Sequence, residues 1–388
     1  MGVRNYITLF LLSFSAFIIV STEFAPLGVM SLMGESLGAS ESEIGVSVTI
    51  YAWIGTLVAL VTPMFLAGIN RRVLLAVLLG LIALANYITS IADHTFYLYL
   101  ARVIGGIANG AFLAFLAITA TSIVKDEVKA KATAIAFLGV SFASAFCIVI
   151  VNFLSTYLLW QTIYNILSLS AFACGILLLV FVPTLREHSS SKGFALFKKT
   201  FENKDVVAIL LISVCCITAH FSIYSFVQPW LANTLALEES SVSLLLLCFG
   251  VAGFLSNTLL TRYIEEYLSK IVLYAIALTA MCLLLFSVFG IKGYTLVLYP
   301  LFVIWGGCVS SLIVCFQALV IKLAKQEAGN AVAIYVSCFN GAIGLGALLG
   351  GLLLQWFGIY ILMLINGVIV LIACYQYFKR FIKGGVNG

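Results

Sequence analysis

Apolar residues along the 388-residue chain fall into long unbroken runs, separated by short breaks that hold the charged and turn-forming residues. The runs predict helices near 5–33, 41–67, 73–92, 96–124, 130–156 and 160–183, and, after a polar interval, near 205–234, 240–261, 269–290, 294–322, 329–355 and 358–380. Each is long enough to cross a hydrocarbon layer about 30 Å thick. Strands are disfavoured, because the runs are continuously apolar and far longer than the alternating strands of about ten residues that build membrane barrels. The pattern predicts an all-α membrane protein of 12 transmembrane helices. The first run lacks a small-residue cleavage site leading into a soluble body, so it reads as a helix and not as a signal peptide.

Composition agrees with a bilayer as the solvent. Hydrophobic residues make up 63% of the chain and charged residues 9%, against roughly 25% charged in soluble domains. The net charge of +5 is spread through short loops, which argues against a nucleic-acid stripe. The ten cysteines all fall inside apolar runs and none has metal or disulfide spacing, so they read as small packing residues.

The charge pattern orients the spans. With the N-terminus in the cytoplasm, all but Arg102 and Lys292 of the 20 Lys and Arg residues face inward, while the opposite loops carry Glu35, Glu41, Glu43, Asp93, Glu238 and Glu239. Positive charge accumulates in cytoplasmic loops, and one missed span would invert every later loop. Both termini are thus expected in the cytoplasm, with the chain multi-pass in a bacterial inner membrane. The polar interval Thr184–Lys204 divides it into an N-terminal six-helix bundle at 1–184, a cytoplasmic linker at 185–204 with a surface helix at Phe194–Phe201, and a C-terminal six-helix bundle at 205–388. Equal halves in parallel orientation point to a duplicated, pseudo-symmetric bundle with a site at the interface of its halves.

Ionisable groups inside spans are costly and mark candidate sites. Of the 15 Asp and Glu residues, Glu23 alone lies within a span, with Pro26 and Gly28 weakening the helix just beyond it. A carboxyl out of bulk water can be neutral or charged according to water access, as a proton carrier requires. The alternatives are a fixed ion pair with Arg102 or a substrate hydrogen-bonding group. Arg102 and Asn109, seven apart, share one face of the fourth span, where Gly106 and Gly110 offer a close-packing surface. Arg102 reads equally as a mobile switch and as an arginine bonded to a neighbouring helix's carbonyls. On the seventh span His220, Tyr224 and Gln228 stand at i, i+4 and i+8, one polar stripe suited to a hydroxyl-rich ligand or to an inter-helix seam, with Pro229 expected to kink the outer end. Asn340, one turn from Ser337, precedes a glycine face at 341–351. Tyr51, Trp53, Trp230, Trp305 and Gln317 are weaker candidates, since aromatics at span ends usually mark the interface belt. No phosphate loop, metal cluster or catalytic nucleophile–base set is visible in the sequence, so no cofactor and no enzymatic activity are expected, and secondary transport is favoured over a nucleotide-driven pump.

At these residues the chain resembles the major facilitator superfamily, in its drug:H⁺ antiporter-like branch, and within it the bacterial sugar efflux transporters of the SotB type. The resemblance runs over essentially the whole chain and is carried by 22–28 (Thr-Glu-Phe-Ala-Pro-Leu-Gly), 49–53 (Thr-Ile-Tyr-Ala-Trp), 218–225 and 339–350. It implies two six-helix bundles rocking about a central site, in a monomer that exports a small polar solute such as a sugar against an inward flow of protons. On that analogy Glu23 and Arg102 would couple and Asn109, His220, Tyr224 and Asn340 would line the cavity and bind the solute, to which residue type and spacing add Tyr51, Trp53 and Gln228 as solute-binding candidates. Export of nucleosides, purines or drugs, or a non-transporting solute sensor, are the rival readings. Departures from the branch are Ala67 at the usual acid of the loop ending Arg71-Arg72, a fifth span lacking Gly and Pro across 147–152, Gln161 after Trp160, and Gln228 in place of an acid.

Overall fold

The computed structural model describes residues 3–65, 69–125, 128–183, 201–290, 294–324 and 328–383. Among them every regular element is helical. The chain divides into two compact units, Met1–Ser191 and Lys192–Gly388. The expected linker at 185–204 and its surface helix lie, apart from 201–204, outside the described residues, as do Ala67 and Lys292.

The first unit holds α1 (Val3–Gly28), α2 (Met30–Leu37), α3 (Glu41–Phe65), α4 (Arg71–Ser90), α5 (Thr95–Ser122), α6 (Lys129–Ser155) and α7 (Trp160–Phe181). The predicted span 5–33 therefore breaks at Val29, whose φ of −133° is non-helical. Pro26 and Gly28 account for the break, one by removing a backbone donor and the other by its conformational freedom. Helix α6 bends by 54° between Ile135–Ser144 and Phe146–Ser155. No glycine or proline stands at this bend; Ser144 instead donates to the Val140 carbonyl at 2.9 Å, a back-bond that bends helices. The main pairings are α1 with α6, α3 with α5 and α4 with α7.

The second unit holds α8 (Lys204–Tyr224), a single turn at Val227–Pro229 followed by a π-turn at Trp230–Thr234, α9 (Glu239–Phe289), α10 (Thr295–Ala324) and α11 (Ala328–Tyr377) with a closing π-turn at Phe378–Lys383. Its pairings repeat those of the first unit: α8 with the first half of α11, α9 with α10, and the later halves of α9 and α11 with each other. Here the predicted breaks at 261–269 and 355–358 are sharp kinks in the backbone. Helix α9 is interrupted only at Tyr267 (φ −116°, ψ 15°), and α11 only at Gly358 (φ 77°, ψ 171°). The 50 residues of α11 would run about 75 Å if straight, well over twice the hydrocarbon thickness. Gly358 turns the chain back, in a backbone region essentially closed to other residues.

Ten described helices are long and apolar enough to cross a membrane, and the bent α6 makes an eleventh. Division of the long C-terminal run at Gly358 brings the described structure into line with twelve spans.

Small residues set the distances between helices. A Cβ on Gly110 would strike the Gly55 carbonyl, and one on Gly106 would stand 2.8 Å from the Tyr51 oxygen, so α5 lies directly on α3. In the second unit, Cβ atoms at Gly346 and Gly350 would collide with the α8 backbone at Thr218 and Ser222. Such close approach replaces the hydrophobic drive that is missing between helices in lipid. Cys147, Cys174, Cys216, Cys282 and Cys315 are buried and unlinked, while Cys215 is exposed.

Candidate functional site

In the first unit the polar residues of four helices converge on one turn of α1. Pro26 has no N–H, so the Thr22 carbonyl four residues earlier has no helical donor. Arg102 of α5 supplies it: Nη1 donates to Thr22 O at 2.6 Å, and Nη2 donates to the Tyr164 hydroxyl of α7 at 2.8 Å. The Thr22 hydroxyl donates to Ile18 O at 2.9 Å and accepts from Asn86 Nδ2 of α4 at 2.9 Å. The guanidinium also lies near the rings of Tyr51 and Tyr164, at 5.8 and 5.6 Å, within cation–π range. Arg102, only 1% exposed, is thus held as an arginine on a neighbouring helix's carbonyl.

Glu23 follows Thr22 directly. Its side chain is 3% exposed and its Oε1 has no hydrogen-bond partner. The positive charge that acts on it is that of Arg102, whose two Nη groups are bonded to Thr22 and Tyr164 instead. Buried carboxylate oxygens are normally satisfied, and one left open beside a committed cation is free to take a proton or a ligand.

Tyr51 and Trp53, two apart on α3, point about 200° from each other. The Tyr51 ring is fully buried against Gly105, and its hydroxyl donates to Ile19 O at 3.1 Å. Trp53 is exposed on the other side, so the pair shares no single face. Asn109 is buried in the α3–α5 contact, its Nδ2 against Gly55 and its Oδ1 without a partner.

In the second unit His220 and Tyr224 stack on one face of α8, ring centroids 4.9 Å apart. Tyr224 stacks on Phe249 of α9 at 4.8 Å, and Trp305 of α10 closes edge-on at 5.1 Å from His220 and 4.9 Å from Phe249. Trp230, Phe286 and Phe302 continue the cluster behind Trp305. Within this aromatic cluster the His220 Nδ1, Trp305 Nε1 and Trp230 Nε1 have no hydrogen-bond partners. Gln228 is buried too, but α8 ends at Tyr224, so it belongs to the next turn and not to the same continuous stripe. Asn340 is half-buried on α11, beside Gly341, where a Cβ would meet only open space.

Several residues of these clusters escaped the sequence reading. Asn86 was visible as a lone amide in an apolar run and Thr22 only as part of the 22–28 segment; Tyr164 and Phe249 gave no signal, because only packing brings them to Arg102 and His220. Trp230 and Trp305 are core residues, 2% and 0% exposed, and not interface anchors. Arg71, read as a loop cation, is buried with its guanidinium 3.9 Å over the Phe115 ring.

Two helical units with the same pairing of helices and spans long enough to cross a membrane, one holding a buried acid and the other an aromatic cluster with unpaired ring nitrogens, define a polytopic secondary transporter rather than an enzyme. The family model of the Major Facilitator Superfamily matches residues 9–227 and again 209–383, and the chain belongs to that superfamily. It is 25% identical over 381 residues to a protein of Mannheimia succiniciproducens named "Probable sugar efflux transporter", covering 98% of this chain and 95% of the relative. A protein of the same name from Helicobacter acinonychis is 27% identical, covering 97% and 96% of the two chains. Among solved structures, the nucleoside transporter NupG superposes with a TM-score of 0.75 at 15% identity, covering 98% of this chain and 100% of the other. A bacterial homolog of the human lysosomal transporter Spinster gives 0.76 at 14% identity, covering 98% and 97%. At these identities the two structures share the fold.

Proposed function

We propose that the chain exports a small polar solute, a sugar or sugar-like polyol, by alternating access coupled to inward proton movement. It acts as a monomer in a bacterial inner membrane, with both termini cytoplasmic and the halves 1–184 and 205–388 joined by the cytoplasmic linker. The observation that carries this reading is Glu23, a buried carboxyl with an open oxygen, next to an arginine already committed to Thr22 and Tyr164. Such a carboxyl exchanges its proton only when water reaches it, and a solute bound to the same group competes with that proton. Binding of solute and of proton are then reciprocally linked.

The cargo reading rests on the second unit and on the printed names of the relatives. His220, Tyr224, Phe249 and Trp305 form an aromatic wall edged by unpaired donors and acceptors, and a sugar offers both an apolar ring face and hydroxyls. Gln228, Asn340, Asn109, Tyr51 and Trp53 are assigned to the solute on the same grounds of residue type, with Tyr51 acting through its packing beside Arg102.

The test is counterflow and pH-jump efflux in proteoliposomes with sugars, nucleosides and dyes, for the wild type and Glu23→Gln. Sugar exchange by the wild type, together with Glu23→Gln that still exchanges sugar but loses proton-driven accumulation, is the expected outcome. Exchange of no solute would sink the transport reading. Proton-driven efflux with unchanged pH dependence in Glu23→Gln would remove Glu23 from coupling, and exchange of nucleosides or dyes alone would replace the cargo.

A further inference from the structure

The second unit carries a groove on its outer surface that neither the buried acid nor the aromatic wall uses. It lies between the first turns of α8 and the last turns of α11, has a volume of about 600 Å³, and is walled by Leu211, Ile212, Cys215, Ile369, Ile372 and Ala373. Lys379 and Arg380 stand at one end. That end is also where α8 begins, because Arg380 donates to Asp205 Oδ1 through Nε at 2.9 Å and through Nη2 at 2.9 Å. The groove therefore runs from the hydrocarbon, where Leu211 and Ile372 are exposed, to the membrane surface, where the charges gather.

Arg380 and Asp205 neutralise one another, so among the described residues lining the groove the uncompensated charge is that of exposed Lys379. An occupant must then be apolar over most of its length and anionic at one end, and it must come from the bilayer on which the groove opens. A sugar fails the first requirement and a neutral lipid the second. Basic residues at the ends of grooves between membrane helices hold acidic headgroups in this way. We infer that this groove is a binding site for an anionic phospholipid of the leaflet on the side of the chain termini, with its phosphate at Lys379 and one acyl chain laid along Leu211, Cys215 and Ile372.

The inference needs only that the chain crosses a membrane, so it stands or falls apart from the choice of transported solute. Its test is native mass spectrometry of delipidated protein titrated with dioleoyl-phosphatidylglycerol or dioleoyl-phosphatidylethanolamine. One phosphatidylglycerol should be retained several-fold more tightly than phosphatidylethanolamine. Lys379→Gln should weaken phosphatidylglycerol by about fivefold, the effect of one basic residue near the surface. Lys322→Gln, the same charge loss at the end of α10, should leave it unchanged, and Leu211→Trp, which fills an exposed wall of the groove, should weaken both lipids. Equal retention of the two lipids, or equal effects of Lys379→Gln and Lys322→Gln, would overturn the site. So would a Leu211→Trp effect on self-association with none on lipid, which would assign the groove to a second copy of the chain.

Discussion

Arg102 and Pro26 should be energetically coupled through the Thr22 carbonyl. The carbonyl of Thr22 lies inside a packed unit, loses its helical donor to Pro26, and recovers one from Arg102 at 2.6 Å. Replacing Arg102 by Met strips that carbonyl, and an unsatisfied buried acceptor costs about 1–3 kcal/mol. It also removes the bond to the Tyr164 hydroxyl at 2.8 Å, worth a further 1.5–3 kcal/mol or so as a hydrogen bond from a charged donor. In a Pro26→Ala background the restored N–H of residue 26 takes the Thr22 carbonyl. Only the Tyr164 contribution should then remain, and Arg102→Met should cost about 1–3 kcal/mol less than in the wild type. The assay is reversible denaturation of the four proteins of the cycle in mixed micelles, followed by tryptophan fluorescence. Additivity within about 0.5 kcal/mol, the usual result for independent sites, would refute the claim that Arg102 serves as the donor Pro26 removed. A Tyr164→Phe series separates the second bond, and its effect should be the same in both backgrounds.

Packing and capping give further checks. Gly110→Ala places a methyl group on the Gly55 carbonyl, whereas Gly341→Ala meets open space. The first should lower the unfolding midpoint by an overpacking cost of about 1–3 kcal/mol, the second should leave fluorescence-detected size exclusion and unfolding unchanged, and equal effects would contradict the α3–α5 contact. Asn203 caps α8 by accepting from Asp205 N at 3.0 Å and Val206 N at 3.3 Å, and its Nδ2 ties that cap to Leu323 O at 3.1 Å. Asn203→Ala should therefore cost about 1 kcal/mol or more, and hydrogen exchange should quicken at the start of α8; unchanged exchange there would argue against the cap.

The number of spans lay open in the sequence because a bilayer imposes them locally. Each segment must be apolar over about 30 Å and satisfy its own backbone, so runs of side chains and the placement of Lys and Arg are enough to recognise them. Glu23 stood out for the same reason: a charge in an apolar run needs no neighbour to be conspicuous. The breaks at Val29 and at Gly358 were also within reach of sequence, since proline and glycine act on their own turn. Other features were not local. Arg71 looked like a loop cation and is buried on Phe115, and Trp305 looked like an interface anchor and is the centre of an aromatic cluster. Whether Arg102 faced Glu23 as an ion partner or served the backbone was a choice between donors and acceptors on different helices. Hydrogen bonds decide by distance and direction, and only the packed helices bring the Thr22 carbonyl and the Tyr164 hydroxyl each within 3 Å of the guanidinium.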